Sequence, residues 1–189
     1  MGSFVTAKDW RTGMRDALLS IWPANGSIGS ILDLGCRDCW HTAGLPGVTR
    51  HVGVEVWPEA LERGIRKAKA GGIPNFEPVL AEGLGYLEGC PDGSFAGVLA
   101  IDLLEHFPQD KSVALLNEME RVASKLAVVW TTMGYIPQAP FDADGSPQPY
   151  EQHLWGPVPG LFTERGWSVN TYPEWHETRG GAILAWQSK

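Results

Sequence analysis

The chain has no uninterrupted apolar run approaching the ~20 residues that span a bilayer, so no membrane-crossing helix is expected. Its opening residues, MGSFVTAKDW, lack the charged, apolar and small-residue layout of a secretory leader, and a cytoplasmic protein is expected. Positive charge is scarce: 15 Lys and Arg stand against 22 Asp and Glu, a formal net charge of −7. Phosphate contacts demand clustered positive charge, which makes nucleic acid an unfavoured partner. Arg63, Arg66, Lys67 and Lys69 do cluster, but on one expected helix, where a solvated face accounts for them. Three cysteines are too few for a disulfide framework. No internal repeat and no low-complexity tract is present. What remains, at 189 residues and 43% hydrophobic content, is one ordinary globular domain that can bury a core without staples.

The most informative segment is ILDLGCRDC at residues 31–39. A short apolar strand closes on Asp33, Leu34 and Gly35 and opens into a tight loop where a helix can start. The next apolar run, HVGVEV at 51–56, ends at Glu55 and Val56. A strand feeding a glycine-bearing turn, with an acid about 20 residues on, is the spacing that holds a nucleoside's ribose hydroxyls. Cys36 and Cys39 also form a C-x-x-C pair at the expected helix start, where a thiolate is favoured. A haem attachment needs His straight after the second cysteine, but Trp40 stands there and His41 follows it. Zinc needs two further ligands at regular spacing, which Cys90 and the scattered histidines do not offer. The pair reads as two small residues lining a ligand loop, and no metal site is expected.

Strands and helices alternate along the chain. Trp10, Met14, Ala17, Leu18 and Ile21 recur at helical spacing behind Thr6 as N-cap, which predicts a leading amphipathic helix. Strands are predicted at 28–34, 51–56, 76–80, 95–101 and 126–131, with a last pair at 167–172 and 182–186. Helices are predicted at 58–70, opened by Pro58 and closed by Gly71 and Gly72, and at 111–123, with a short one inside 156–166. Pro137, Pro140, Pro147, Pro149, Pro157 and Pro159 make 134–160 the longest irregular stretch, and a loop of that length is usually functional. The expected fold is α/β: a doubly wound, mostly parallel seven-stranded sheet with helices on both faces, three layers in a single domain over 1–189. Residues 1–25 are expected as an N-terminal helix or lid. Ligands bind such sheets at the carboxyl ends of the strands, where strand order reverses.

Four turns fall at those strand ends in order: Asp33-Leu34-Gly35, Glu55, Glu82-Gly83 and Asp102-Leu103-Leu104-Glu105-His106. Over roughly residues 25–135 this pattern resembles the class I S-adenosylmethionine-dependent methyltransferases, especially the small-molecule type. The resemblance implies S-adenosyl-L-methionine as cofactor. It places the loop from Gly35 to Cys39, with Asp33, Cys36 and Arg37, under the methionine part. Glu55 would accept from the ribose hydroxyls, and Val56 and Trp57 would pack against adenine. Glu82, with Gly83 beside it, would take the adenine amino group, and Asp102 and Leu103 would face the cofactor's own amino group. A buried carboxylate is costly unless donors saturate it, and diols and amines supply them. Two departures stand out. Arg37 and Cys39 occupy the family's second and third loop glycines, positions with φ often above zero, where a side chain costs of order 1 kcal/mol. Ala96 stands beside Phe95 where the family usually has Asp. The main rival is a dinucleotide enzyme, whose turn holds a pyrophosphate on backbone amides. Here its second glycine is missing and Asp38 would repel the phosphates, whereas a sulfonium is positive.

A base is needed in methyl transfer only where the acceptor must lose a proton. His106, just past the fourth strand, and His153, in YEQHLW, are the candidate catalytic residues. The resemblance makes 134–160 an acceptor-site loop, and Trp10, Tyr135, Tyr150 and Trp155 are candidate walls of an apolar pocket there. The implied partner is a small-molecule acceptor, and a homodimer is left open. Two further classes stay open: a catalytically silent cofactor-binding subunit serving a partner, and a thiol redox protein using Cys36 and Cys39.

Overall fold

A computed structural model describes residues 10–23, 28–73, 75–140, 150–176 and 180–189, the side chains of residues 10–12, 72 and 176 excepted. Seven strands form one sheet: β1 (Gly29–Leu34), β2 (Val48–Glu55), β3 (Phe76–Leu80), β4 (Phe95–Ile101), β5 (Ala123–Met133), β6 (Ser168–His176) and β7 (Gly180–Ser188). The helices are α1 (Trp10–Ile21), α2 (Pro58–Lys67), α3 (Gly83–Glu88), α4 (Gln109–Val122) and α5 (Pro159–Thr163). The strand order is β3-β2-β1-β4-β5-β7-β6. The first five strands are parallel, while β7 runs antiparallel to both β5 and β6. This is the expected doubly wound sheet, and its order reverses between β1 and β4.

The central strands are apolar on both faces because helices cover both. Alternation splits β1 between two cores. Leu32 and Leu34 join Val98, Ala100, Leu115, Leu116, Met119 and Phe162 on one side. Ile31 joins Met14, Leu18, Trp22, Leu99, Val128 and Trp130 on the other. Each such fully buried side chain contributes about 1.5–3 kcal/mol. Helix α1 thus closes one face of the sheet; Thr6 and the Trp10 side chain lie outside the described residues. No helix among the described residues is long and apolar enough to cross a membrane.

Several boundaries differ from the sequence reading. Strand β2 starts at Val48, earlier than apolarity suggested, because Val48 and the exposed Arg50 still pair with β1 on either side of a bulge at Thr49. Strand β5 extends over Ala123–Met133, recruited at its start by the pairing of Ala123 with Phe95 of β4 and at its end by the pairing of Thr132 and Met133 with β7. Pro78 does not break β3, because β3 is an edge strand with one neighbour. Helix α2 stops at Lys67 and passes into a π turn, Ala68–Gly72, where Gly71 adopts φ of 87°. Helix α3 carries only two buried residues, Gly83 and Leu87, too few for a periodic signal, and was not expected.

Candidate active site

The loop after β1 turns at Gly35 (φ 61°), where an added Cβ would lie 2.7 Å from Leu103 Cδ1. Arg37 and Cys39, the two residues in place of glycine, do adopt positive φ, 48° and 55°. The loop keeps the glycine backbone shape and bears strain of order 1 kcal/mol at each. Its restraints are visible. The Cys36 amide donates to Val54 O at 3.0 Å, the Cys39 amide to Cys36 O, and the Arg37 amide to Glu55 Oε2 at 2.8 Å. Gly64 of α2 comes against it, since a Cβ there would sit 3.1 Å from Arg37 O. Beneath the loop, buried Asp33 accepts from Thr42 Oγ1 and lies 3.2 Å from His51 Nε2. Asp33 therefore supports the loop from below. Cys36 and Cys39 are free and buried. A hydrogen bond with Cys39, then burial, push the Cys36 thiol far above its ordinary range. A thiolate is the reactive form, so this environment opposes the thiol redox reading.

Glu55 ends β2, and 7% of it remains exposed. Its Oε1 accepts from the amides of Val56 and Trp57, both at 2.9 Å, while Oε2 accepts from Arg37. Three charge-assisted bonds fix the carboxylate and join the ends of β1 and β2. Beside it, Val56 and Leu80 leave apolar surface bare, 36% and 58% exposed. Leu80 pairs in register with Glu55, so sequence reasoning that aligned the strand ends would have found it. Trp57 is covered by the Arg63 guanidinium, 5.1 Å above its ring. Glu82 is turned toward its own chain. It caps α3, accepting from Leu84 N at 3.2 Å and Gly85 N at 2.8 Å, and Gly83 behind it is buried.

The turn after β4 carries the densest chemistry. Asp102 adopts φ of 48°, its amide tied to Trp130 O at 2.8 Å. Its side chain is open to solvent yet surrounded by protein. Desolvation, then Glu105 and Glu151, raise its carboxyl well above the ordinary range, and Arg37 opposes them. The protonated form is thus favoured by folding, and ionised Asp102 weakens the native state at neutral pH. Asn tolerates positive φ as Asp does. Asp102→Asn is therefore expected to stabilise the protein at pH 8 by about 1 kcal/mol or less, given solvent screening. That gain should fade as pH falls toward ~4, where the unfolded carboxyl also takes its proton. Melting curves at the two pH values check this; an unchanged or lowered midpoint at pH 8 contradicts it.

Glu105 is buried and accepts from Thr131 Oγ1 at 2.8 Å. Residues 150–157 fold back on this turn. The Leu154 amide donates to Glu105 O at 2.8 Å, and the Trp155 indole N–H donates to Leu104 O at 2.9 Å and Ser112 Oγ at 3.0 Å. His106 Nδ1 lies 3.1 Å from Gln152 O, and His153 Nδ1 lies 2.6 Å from Ile136 O. The two imidazoles meet edge to face with centroids 4.9 Å apart. Burial lowers the His153 pKa below its ordinary value, against the pull of Glu105. Glu151 reaches across to Arg37 at 3.4 Å, linking this segment to the loop after β1. Sequence reasoning missed Glu151 and Thr131, whose partners are distant in the chain. Tyr135 and Tyr150 are exposed, while Trp155 anchors the segment through its N–H.

A family model described as a methyltransferase domain matches residues 31–125, just over half of the chain. The chain belongs to the methyltransferase domain family. It is an S-adenosylmethionine-dependent methyltransferase of class I architecture. No curated protein sequence matches it. Among solved structures, magnesium protoporphyrin IX methyltransferase from Synechocystis PCC 6803, with bound S-adenosylmethionine, is 16% identical with a TM-score of 0.62. That match covers 100% of this chain and 87% of the other. The N-terminal domain of EvdMO1, with S-adenosylhomocysteine bound, is 22% identical with a TM-score of 0.65, covering 96% and 82%. An S-adenosylmethionine-dependent methyltransferase from Aquifex aeolicus is 15% identical with a TM-score of 0.54, covering 91% and 88%. These likenesses show the fold.

The donor groups suit the cofactor. Bare apolar surface at Val56 and Leu80 flanks a fixed carboxylate, as a flat base beside a ribose requires. Around the next strand end, Asp102, Glu105 and Glu151 set negative charge against Arg37, a setting that favours a cationic ligand.

Proposed function

We propose that this methyltransferase acts on a nucleophile of a small-molecule acceptor, with the reacting atom held between the turn after β4 and the segment 150–157. The bound cofactor supplies an electrophilic methyl on sulfur. The protein holds it: Glu55 accepts from the ribose hydroxyls, Val56, Trp57 and Leu80 pack the adenine, with Glu82 and Gly83 at its edge. The loop from Gly35 through Cys36 and Arg37, braced by Asp33, lies under the methionine part, and Asp102 with Leu103 faces its amino group. Alignment of two reactants is worth ~7–11 kcal/mol, so most of the rate comes from these positioning contacts.

The observation that carries the reading is the fold-back of 150–157 onto the β4 turn. It brings His106 and His153 into ring contact 4.9 Å apart, with Glu105 beside them, at the carboxyl edge of the sheet. There His106 and His153 serve to remove or stabilise the loss of an acceptor proton. Exposed Tyr135 and Tyr150 and the surplus of acid over base favour a small, flat or apolar acceptor over nucleic acid. Isothermal titration with S-adenosylmethionine and S-adenosylhomocysteine, followed by methyl transfer to a panel of phenols, sugars and amines, tests this. Binding with turnover on one class supports it. Absence of binding by either ligand overturns it, and binding without turnover on any acceptor favours a silent subunit.

A further inference from the structure

We propose that Glu105, His106 and His153 form a divalent-cation site of two imidazoles and one carboxylate. Their ligand atoms all lie within 4.8 Å of one another, and Glu105 and His153 are buried while His106 is half-buried. The orientation of the rings is the stronger argument. Each Nδ1 faces a backbone carbonyl, Gln152 O for His106 and Ile136 O for His153. A carbonyl only accepts, so both rings are Nδ1–H tautomers and both keep an Nε2 lone pair. An imidazole that donates one N–H to a carbonyl and keeps the other nitrogen bare is the usual setting of a metal-ligating histidine. Glu105 is oriented in the same way by the Thr131 hydroxyl, which leaves carboxylate lone pairs available. The three residues come from two segments 47 positions apart, joined by the Leu154–Glu105 backbone bond.

A mixed nitrogen and oxygen set suits Mn²⁺, Fe²⁺, Co²⁺ or Zn²⁺ better than Mg²⁺ or Ca²⁺. Three protein ligands leave coordination positions open, as catalytic sites do. Resting on the functional reading above, this gives His106 and His153 a shared part other than that of a free base. The cation draws the acceptor hydroxyl into an open position and lowers its pKa. The proton leaves to water, the oxygen forms its bond to the methyl carbon, and the carbon–sulfur bond breaks with its electron pair left on sulfur.

The test uses the full chain, stripped with a chelator and titrated with Co²⁺ and Mn²⁺ while metal content and Co²⁺ visible absorption are read. The expected result is one ion per chain, with imidazole-type d–d bands and no thiolate charge-transfer band. His106→Gln and His153→Gln should each weaken binding by ~100-fold or more, given that even outer partners of metal ligands are worth 10–100-fold. Half-exposed His106 is the safer variant for folding. Absence of stoichiometric binding overturns the site, as does undiminished binding in both variants. A thiolate band overturns it too, because it would place the ion at the buried Asp33, Cys39 and His51 group. Binding of S-adenosylmethionine in chelator, measured in parallel, keeps the two readings separate. Cofactor binding without metal uptake sinks this inference alone, and metal uptake without cofactor binding sinks the functional reading alone.

Discussion

Glu55→Ala is expected to lower folding stability by about 2–4 kcal/mol and to weaken S-adenosylmethionine binding by ~100-fold. The stability loss follows from three amide donors, on Arg37, Val56 and Trp57, that lose their acceptor at a site only 7% exposed. A hydrogen bond to a charged group is worth about 1.5–3 kcal/mol, and an orphaned buried donor costs a similar amount, with entering water offsetting part. Two of the three donors sit in the turn that presents Val56 and Trp57, so adenine packing suffers with the ribose contact. Glu55→Gln separates the two effects. It keeps the side-chain length and one carbonyl oxygen for the Val56 and Trp57 amides but sets its NH2 against the Arg37 amide, so part of the stability should return while cofactor affinity stays low. Urea unfolding and titration calorimetry read the two quantities. Unchanged affinity in Glu55→Ala would show that the ribose is held elsewhere.

Gly156→Ala acts on the other half of the site. A Cβ at this position would lie 1.8 Å from Tyr135 N, 2.1 Å from Gly134 C and 2.4 Å from Tyr135 Cα. All three are backbone atoms, so no rotamer change relieves the clash and the strand end and the returning segment must separate by more than 1 Å. The bond from the Gly134 amide to Pro157 O, 2.7 Å, goes first. The neighbouring Trp155 and His153 anchors are displaced with it. A misplacement of about 1 Å near the chemistry can cost ~100-fold in rate, and a loss of that size in methyl transfer is expected. Glu55 keeps its place, and the pair that ties the segment to the loop after β1, Arg37 with Glu151, is partly exposed, so cofactor affinity should fall by no more than about tenfold. Wild-type turnover in Gly156→Ala would show that the segment 150–157 plays no part in the reaction.

Much of the donor half was legible in the chain. Glu55, Gly35 and the β4 turn are local features, each a strand that ends in an acid or a glycine, and alternation of apolar runs fixes where strands end. The positive φ of Arg37 and Cys39 was only half legible: the motif marks positions where φ is often above zero, but two side chains in place of glycine left a differently shaped loop open. Glu82 stands just past β3, where the sequence put it, but its surroundings were hidden. Its carboxylate caps α3, a helix too short to leave a periodic trace. The last residues of β5 were hidden for another reason, since their pairing partners in β7 lie about 50 residues further along the chain.

The proposed acceptor half was decided only in three dimensions. The sequence marked His106 and His153 as separate candidates and Trp155 as a pocket wall. It held nothing to say that the Gln152 and Ile136 carbonyls fix both ring tautomers, or that the Trp155 indole holds the β4 turn. Nor could it pair Arg37 with Glu151. By itself the sequence determined the sheet, its layers and the place of the loop after β1, because those follow from short-range patterning of apolar residues, acids and glycines. Tertiary structure alone decided how an irregular, proline-rich return segment meets the strand ends, because such a segment has no period and takes its shape from what it lands on.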